Sequence, residues 1–281
     1  MMKIQPSIAL ISLIALVMIA TMTGVSYGQL VPYDDFSTDL IDPGKWHGNE
    51  TPSSRNNPNT EALRLIEDGK LRMMARAYGG TDADTGRSGG NFGLAVRRSD
   101  LVTMMQAEVT VLSATVEDCP ENSLSTRARA QLFGYFFNDG SGGPGDSTGD
   151  VVAGFDKRVD SRSGNSFLAF VARCTTSGCG AADTIAFEIF DTPMLIGQAD
   201  TMRLEWDAAG EQFMFTLNPA SADEAVKTIS YAGIVVNMGP SDFGLDRLRL
   251  RNQAANCVSG RRMSALEVLY DDVQLNIEAT Q

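Results

Sequence analysis

The sequence predicts an all-β protein, a sandwich or a barrel, on three observations. Short strand-like runs follow one another at regular spacing. Gly, Asn, Asp and Ser fill the gaps between them. Past residue 28, no stretch of 12 or more residues carries a convincing 3.6-residue period.

Taken in order, the chain starts with a leader. Lys3 is the only charge before the unbroken run of small and apolar residues Ile8–Ala20, and at 13 residues that run is shorter than the ~20 a spanning helix needs. It has the length of a signal-peptide core. Small residues at Ser26 and Gly28 place cleavage before Gln29. Residues 1–28 are therefore expected to be removed on export, with 29–281 left as one domain. Then Leu63–Ile66, the Asp68-Gly69 turn and Leu71–Tyr78 read as a hairpin. Further strands are expected at Leu94–Arg98, Val102–Val116, Thr126–Asn138, Asp150–Val159 and Ser166–Arg173. Thr184–Phe190, Thr201–Asp207, Gln212–Asn218, Ala225–Tyr231, Leu245–Arg251 and Met263–Ile277 follow. The Gly-rich stretches Tyr78–Asn91 and Asn138–Asp150 read as long loops.

Composition narrows the function. The chain of 281 residues is 43% apolar, 7% aromatic and 21% charged, which fits neither a disordered tail nor a multi-pass membrane protein. Acids outnumber bases by 35 to 23, which argues against general affinity for nucleic acid or anionic lipid, since each needs clustered bases. No membrane insertion is expected once the leader is gone.

Four cysteines in an exported chain point to disulfides. Three pairings are possible on paper. Cys174 and Cys179 flank the turn-forming Thr-Thr-Ser-Gly, so a local hairpin bridge is the natural pairing, leaving Cys119 with Cys257. A zinc site lacks its spacing, because there is no C-x-x-C and the lone His47 is remote from the cysteines in sequence.

Several segments carry a family resemblance. The chain shows Tyr33-Asp34-Asp35-Phe36, then Ile41-Asp42-Pro43-Gly44-Lys45-Trp46, then Arg203-Leu204-Glu205-Trp206-Asp207 running on to Phe213, and finally Leu269-Tyr270-Asp271-Asp272-Val273-Gln274-Leu275. In this order they resemble exported bacterial domains of the concanavalin A-like lectin/glucanase class. The resemblance implies a jelly-roll sandwich of two antiparallel sheets whose first and last strands lie side by side. It also makes carbohydrate the expected ligand. Glucanases of the class draw their acid pair from one strand in an alternating Glu-x-Asp-x-Glu pattern. No segment here has it, and the three-residue step of Glu188-Ile189-Phe190-Asp191 puts its acids on opposite faces. A G-x-S-x-G elbow is absent, and a triad would have to use His47, whose loop-like setting reads as solvent-exposed.

Binding chemistry is better represented. Arg127 and Arg129 step by two into Gln131 and the aromatic series Phe133, Tyr135 and Phe137. Arg247, Arg249 and Arg251 share a face opposite Leu248 and Leu250. Such ladders can pair with acids such as Glu205 and Glu267 on a neutral surface, or form a concave face whose guanidinium forks bind acidic or hydroxyl-rich glycan. The candidate ligand-binding set is Arg127, Arg129, Tyr135, Arg247, Arg249 and Glu267. If the end strands are neighbours, Asp34 and Asp35 approach Asp271 and Asp272, an oxygen-rich set suited to a structural Ca²⁺. No catalytic residue and no required cofactor is expected. Trp206, on a face with Met202 and Leu204, reads as core, whereas Trp46 falls in the first long loop, either exposed or clamping it.

The expectation is an exported, non-catalytic sandwich that binds a glycan or a cell-surface partner on its concave face. Two other classes stay open. Inward-facing carboxylates about 5–9 Å apart would favour a glycosidase, and a closed concave face beside an exposed apolar patch would favour a structural protein.

Overall fold

A computed structural model of the chain describes residues 29–48, 51–52 and 60–277, so the expected leader lies outside the described residues. The strands form two sheets, and every described pairing is antiparallel. The main path of the first sheet runs β14 (Ala225–Ser230), β13 (Gln212–Leu217), β12 (Ala199–Asp207), β7 (Met104–Val116), β17 (Met263–Leu275), β5 (Lys70–Tyr78), β4 (Thr60–Glu67) and β3 (Thr51–Pro52). β1 (Val31–Asp34) pairs with β17, so the first and last strands are neighbours. The second sheet runs β11 (Ala182–Ile189), β10 (Gly164–Cys174), β9 (Asp150–Asp160), β8 (Arg127–Asn138), β16 (Arg247–Ala255), β6 (Arg87–Val96) and β2 (Trp46–His47), with β15 (Gly239–Pro240) beside β8. The result is a jelly-roll sandwich.

Alternation along the strands builds the core. Leu71, Met73, Val109, Val111, Val268 and Tyr270 face inward from the first sheet. Ala130, Leu132, Phe155, Phe167, Leu248 and Leu250 meet them from the second. Polar groups also cross this layer, among them Lys157 and Tyr270. The fully buried Lys157 on β9 donates to the carbonyls of Val109 and Gln198, both at 2.8 Å, and to Asp200 Oδ2 at 2.7 Å. Tyr270 on β17 donates its hydroxyl to Arg249 O at 3.0 Å and accepts from Gln131 N at 3.1 Å, tying β17 to the backbones of β8 and β16.

Both disulfides form as the spacing indicated, Cys119 with Cys257 and Cys174 with Cys179. Trp46 lies in β2 and is wholly buried as a clamp: Tyr33 meets it edge-on at 5.3 Å, Phe36 stacks at 5.8 Å, and Nε1 donates to Asp34 Oδ2 at 2.6 Å. Trp206 packs against the core, stacked on Phe137 at 5.4 Å with its Nε1 donating to the Tyr231 hydroxyl. His47 is exposed.

Two expectations are corrected. The Gly-rich stretch read as a loop to Asn91 is strand from Arg87 onward. Gly89, at φ 155°, passes so close to Asn252 that a Cβ would sit 2.0 Å from its carbonyl oxygen, so glycine here marks a close backbone approach inside a strand. Phe137 does not share a face with Phe133 and Tyr135. A bulge between Tyr135 and Phe137 in the β8–β9 register turns Phe137 into the core.

Candidate functional site

The outer face of the second sheet is hollowed into a groove of about 770 Å³. Alternation on each strand supplies its floor: the residues between the inward core positions point out, and on β8, β16 and β9 several of these are arginines. Arg127 and Arg129 come from β8, Arg247, Arg249 and Arg251 from β16, Arg158 from β9 and Arg87 from β6, so seven arginines line one cavity. No Asp, Glu, Lys or His is among its lining residues.

Register sets the arrangement. Arg251 lies opposite Arg129, and Arg129 lies opposite Arg158, which makes a row of three arginines directly across β16, β8 and β9. The row to one side holds Arg249, Gln131 and Asp156, and the row to the other holds Gln253, Arg127 and Asp160. Two buried acids lie beneath. Asp160 Oδ2 accepts from Arg158 at 2.8 Å and from Arg127 at 3.0 Å, while Asp156 Oδ1 accepts from Gln131 at 2.5 Å and its Oδ2 lies 3.5 Å from Arg129. Gln131 passes this on, accepting from Arg249 Nε at 2.6 Å.

Five groove arginines have basicity pulled below the usual guanidinium range, in each case chiefly by burial. Arg129 and Arg87 are each brought to about 10. Arg249 is pushed well down by burial and then by Arg247 and Arg251, and Arg127 and Arg251 move the same way. Asp160 moves oppositely. Hydrogen bonds from the Arg162 and Ser163 backbone and from Ser125, with the Arg158 charge, outweigh burial and hold its carboxyl far below the usual range.

Rings and a bridge build the rest of the groove. Arg249 lies over the Phe133 ring at 3.4 Å, and Arg247 sits 5.3 Å from that ring and 5.6 Å from Tyr135. Tyr135 stacks on Phe243 at 4.8 Å. Val152, Leu168, Phe170 and Phe187 continue the apolar side, and the Cys174–Cys179 hairpin contributes Gly178, Cys179 and Gly180 to the wall. One half of the groove is therefore cationic and the other apolar.

The structure brings five of the six sequence-chosen residues together here: Arg127, Arg129, Tyr135, Arg247 and Arg249. Glu267 is the exception. It sits on β17 in the other sheet, where it accepts from Arg72, so it belongs to neither the groove nor the ladders' counter-charge. Glu205 is likewise on the first sheet, and the true counter-acids are Asp156 and Asp160. Sequence reasoning missed Arg87 and Arg158, because their approach depends on strand order. It missed Phe243, whose loop folds onto Tyr135.

Of the four expected metal-binding acids, Asp34 is already engaged by Trp46 Nε1, by Lys45 Nζ at 3.2 Å and by Phe36 N at 3.1 Å. Lys70 Nζ stands 2.7 Å from Asp271 and 3.1 Å from Glu108, a cation built into the chain. Asp272 has its carboxyl pushed up by burial and by Asp271, Glu108 and Asp35, while hydrogen bonds from Ser37 lower that of the exposed Asp35. The ligand atoms of Asp84, Cys119, Glu121 and Cys257 gather within 4.8 Å of one another, but the two sulfurs are bonded to each other and offer a metal no thiolate.

Neither a family model nor a curated protein matches the chain. Among solved structures similar to it are a beta-1,3-glucanase from Mycobacterium marinum, at 12% identity over 86% of this chain and 99% of that one with a TM-score of 0.37. Alginate lyase Aly36B is 12% identical over 88% of this chain and 95% of that one, with a TM-score of 0.37. A legume lectin-like domain from Entamoeba histolytica is 9% identical over 76% and 90%, with a TM-score of 0.34. These neighbours are folds of the concanavalin A-like lectin and glucanase type, and at such scores they carry no argument about the groove, which stands on its own geometry.

Proposed function

We propose that this is an exported, non-catalytic binding protein that takes carbohydrate into the groove on the second sheet. The observation that carries the reading is the lining itself: planar guanidinium forks set beside ring faces in an open cavity, with no carboxylate among the lining residues. Forks of this kind donate paired hydrogen bonds to neighbouring oxygens, and rings accept the apolar face of a sugar. Hydrolysis of a glycosidic bond calls for two carboxyl groups about 5–9 Å apart with access to substrate. Asp156 and Asp160, the acids in ion pairs with Arg127, Arg129 and Arg158, are buried beneath those arginines. Two disulfides support an oxidising compartment.

A glycan array probed with the purified, oxidised protein tests the reading, run once with calcium and once with chelator. A specific hit that weakens about tenfold or more in Arg127→Ala is the expected result. Loss of the hit on chelation would add an ion to the site. A blank array under both conditions would overturn carbohydrate recognition.

A further inference from the structure

We infer that the groove's ligand is a polyanionic glycan, one carrying carboxylates or sulfates along its chain, and that the Arg251–Arg129–Arg158 row is where those anions lie. This rests on the proposed sugar-binding role and specifies its ligand.

The argument begins with an arrangement the fold alone does not favour. Like charges directly opposite on neighbouring strands repel, and here three stand in one cross-strand row on strands spaced about 4.8 Å apart. Counter-charge along this row is short: the ion pairs of Arg127, Arg129 and Arg158 are with two buried acids, Asp156 and Asp160, which these three arginines share. The existing pairs also leave donors unused. Arg129 Nε and Arg249 Nη2 are buried on the groove floor without a hydrogen-bond partner, and Arg251 makes no side-chain hydrogen bond among the described residues. A row of bound anions would supply the missing charge.

The rest of the molecule makes the groove selective. Setting the seven groove arginines aside leaves 16 of the 23 basic residues against 35 acids. A slender chain lying along the floor meets the positive field. A bulky polyanion, such as a nucleic acid duplex, also meets the rest of a molecule whose net charge is −12 and is repelled. The apolar half fits the same occupant, because Phe133, Tyr135 and Phe243 lie further along the same floor, against Arg247 and Arg249, and offer ring faces to the carbon framework of a sugar. Guanidinium remains charged through the physiological range, so recognition should follow ionic strength far more than pH.

The test measures binding of the oxidised protein to four soluble probes of matched length: an oligouronate, a sulfated galactan oligomer, a neutral β-glucan and single-stranded oligodeoxythymidylate. At least one anionic sugar is expected to bind tenfold or more tightly than the neutral glucan, and whichever anionic sugar binds more tightly names the source of the charge. Affinity should fall steeply between ~0.01 M and ~1 M salt, as the screening length shrinks from about 30 to 3 Å. Arg251→Gln should weaken the anionic sugar about tenfold at an unchanged melting temperature, and Arg251→Lys should restore part of the loss. Arg158→Gln probes the same row from another strand should the first variant fail to fold. A neutral glucan bound as tightly as the anionic ones, and indifferent to Arg251→Gln, would overturn this inference and leave the sugar-binding reading intact. Failure of every sugar would overturn both. Oligodeoxythymidylate bound as tightly as the better anionic sugar would overturn the assignment to glycan.

Discussion

Asp246 is the residue whose setting is least comfortable. It is buried just before β16, neither carboxylate oxygen has a hydrogen-bond partner, and Gly134 must lack a side chain because a Cβ there would lie 1.8 Å from Asp246 Oδ1. Burial raises its carboxyl well above the usual range, against a smaller lowering by Arg247. A raised folded-state value means stability that is complete below the unfolded value near 4 and declines as pH rises toward the folded one. Asp246→Asn removes this titration. It is expected to be more stable than the parent at pH 7, on the order of 1 kcal/mol or more, with the gap closing by about pH 4. Urea unfolding at the two pH values measures this, and an equal gap at both would refute the assignment. Trp46 shows the same dependence on surroundings: the sequence places it in the first long loop, either exposed or clamping it, and the Asp34 acceptor with the flanking Tyr33 and Phe36 rings makes it a clamp.

Elements were largely legible, because period-two alternation and turn residues are local signals. The hairpin of β4 and β5, the strands from β7 to β14 and the last strand lie within a few residues of where the pattern puts them. Misreadings occur where a tertiary neighbour decides. Gly89 reads as loop unless Asn252 is known to press against it, and Phe137 reads as groove unless the register with β9, in which β8 carries one extra residue, is known. The Cys119–Cys257 bridge acts at this scale too, joining the segment before β8 to the turn before β17 across a separation of 138 residues. In the chain-entropy model a loop of that size contributes roughly 4–5 kcal/mol. The double variant Cys119→Ala/Cys257→Ala is expected to lose most of this in urea unfolding while Cys174–Cys179 stays closed. A loss below ~1 kcal/mol would place the bridge's value elsewhere.

At the scale of the whole molecule, charge is sorted: a chain with 35 acids to 23 bases gathers seven of its arginines on one sheet face. The sequence displayed the ladders, since alternate arginines within one strand are visible in one dimension. It could not display the row, because Arg251, Arg129 and Arg158 come together only through the order β16-β8-β9. The other sheet carries a consequence of its own. Val31 pairs with Leu275 on β1 and β17, so the described chain enters and leaves at one place, in the sheet that does not hold the groove. Circular permutation should therefore be tolerated, with residues 29 and 277 joined by a short flexible linker and new ends opened in the exposed turn at Ser221 and Ala222. Such a permutant is expected to fold with both disulfides and to keep the parent's ligand affinity, and a permutant that folds but loses affinity would show that the ends reach the groove. By the same geometry, a support or partner domain attached at either end would leave the arginine face pointing away from it, free to meet a ligand.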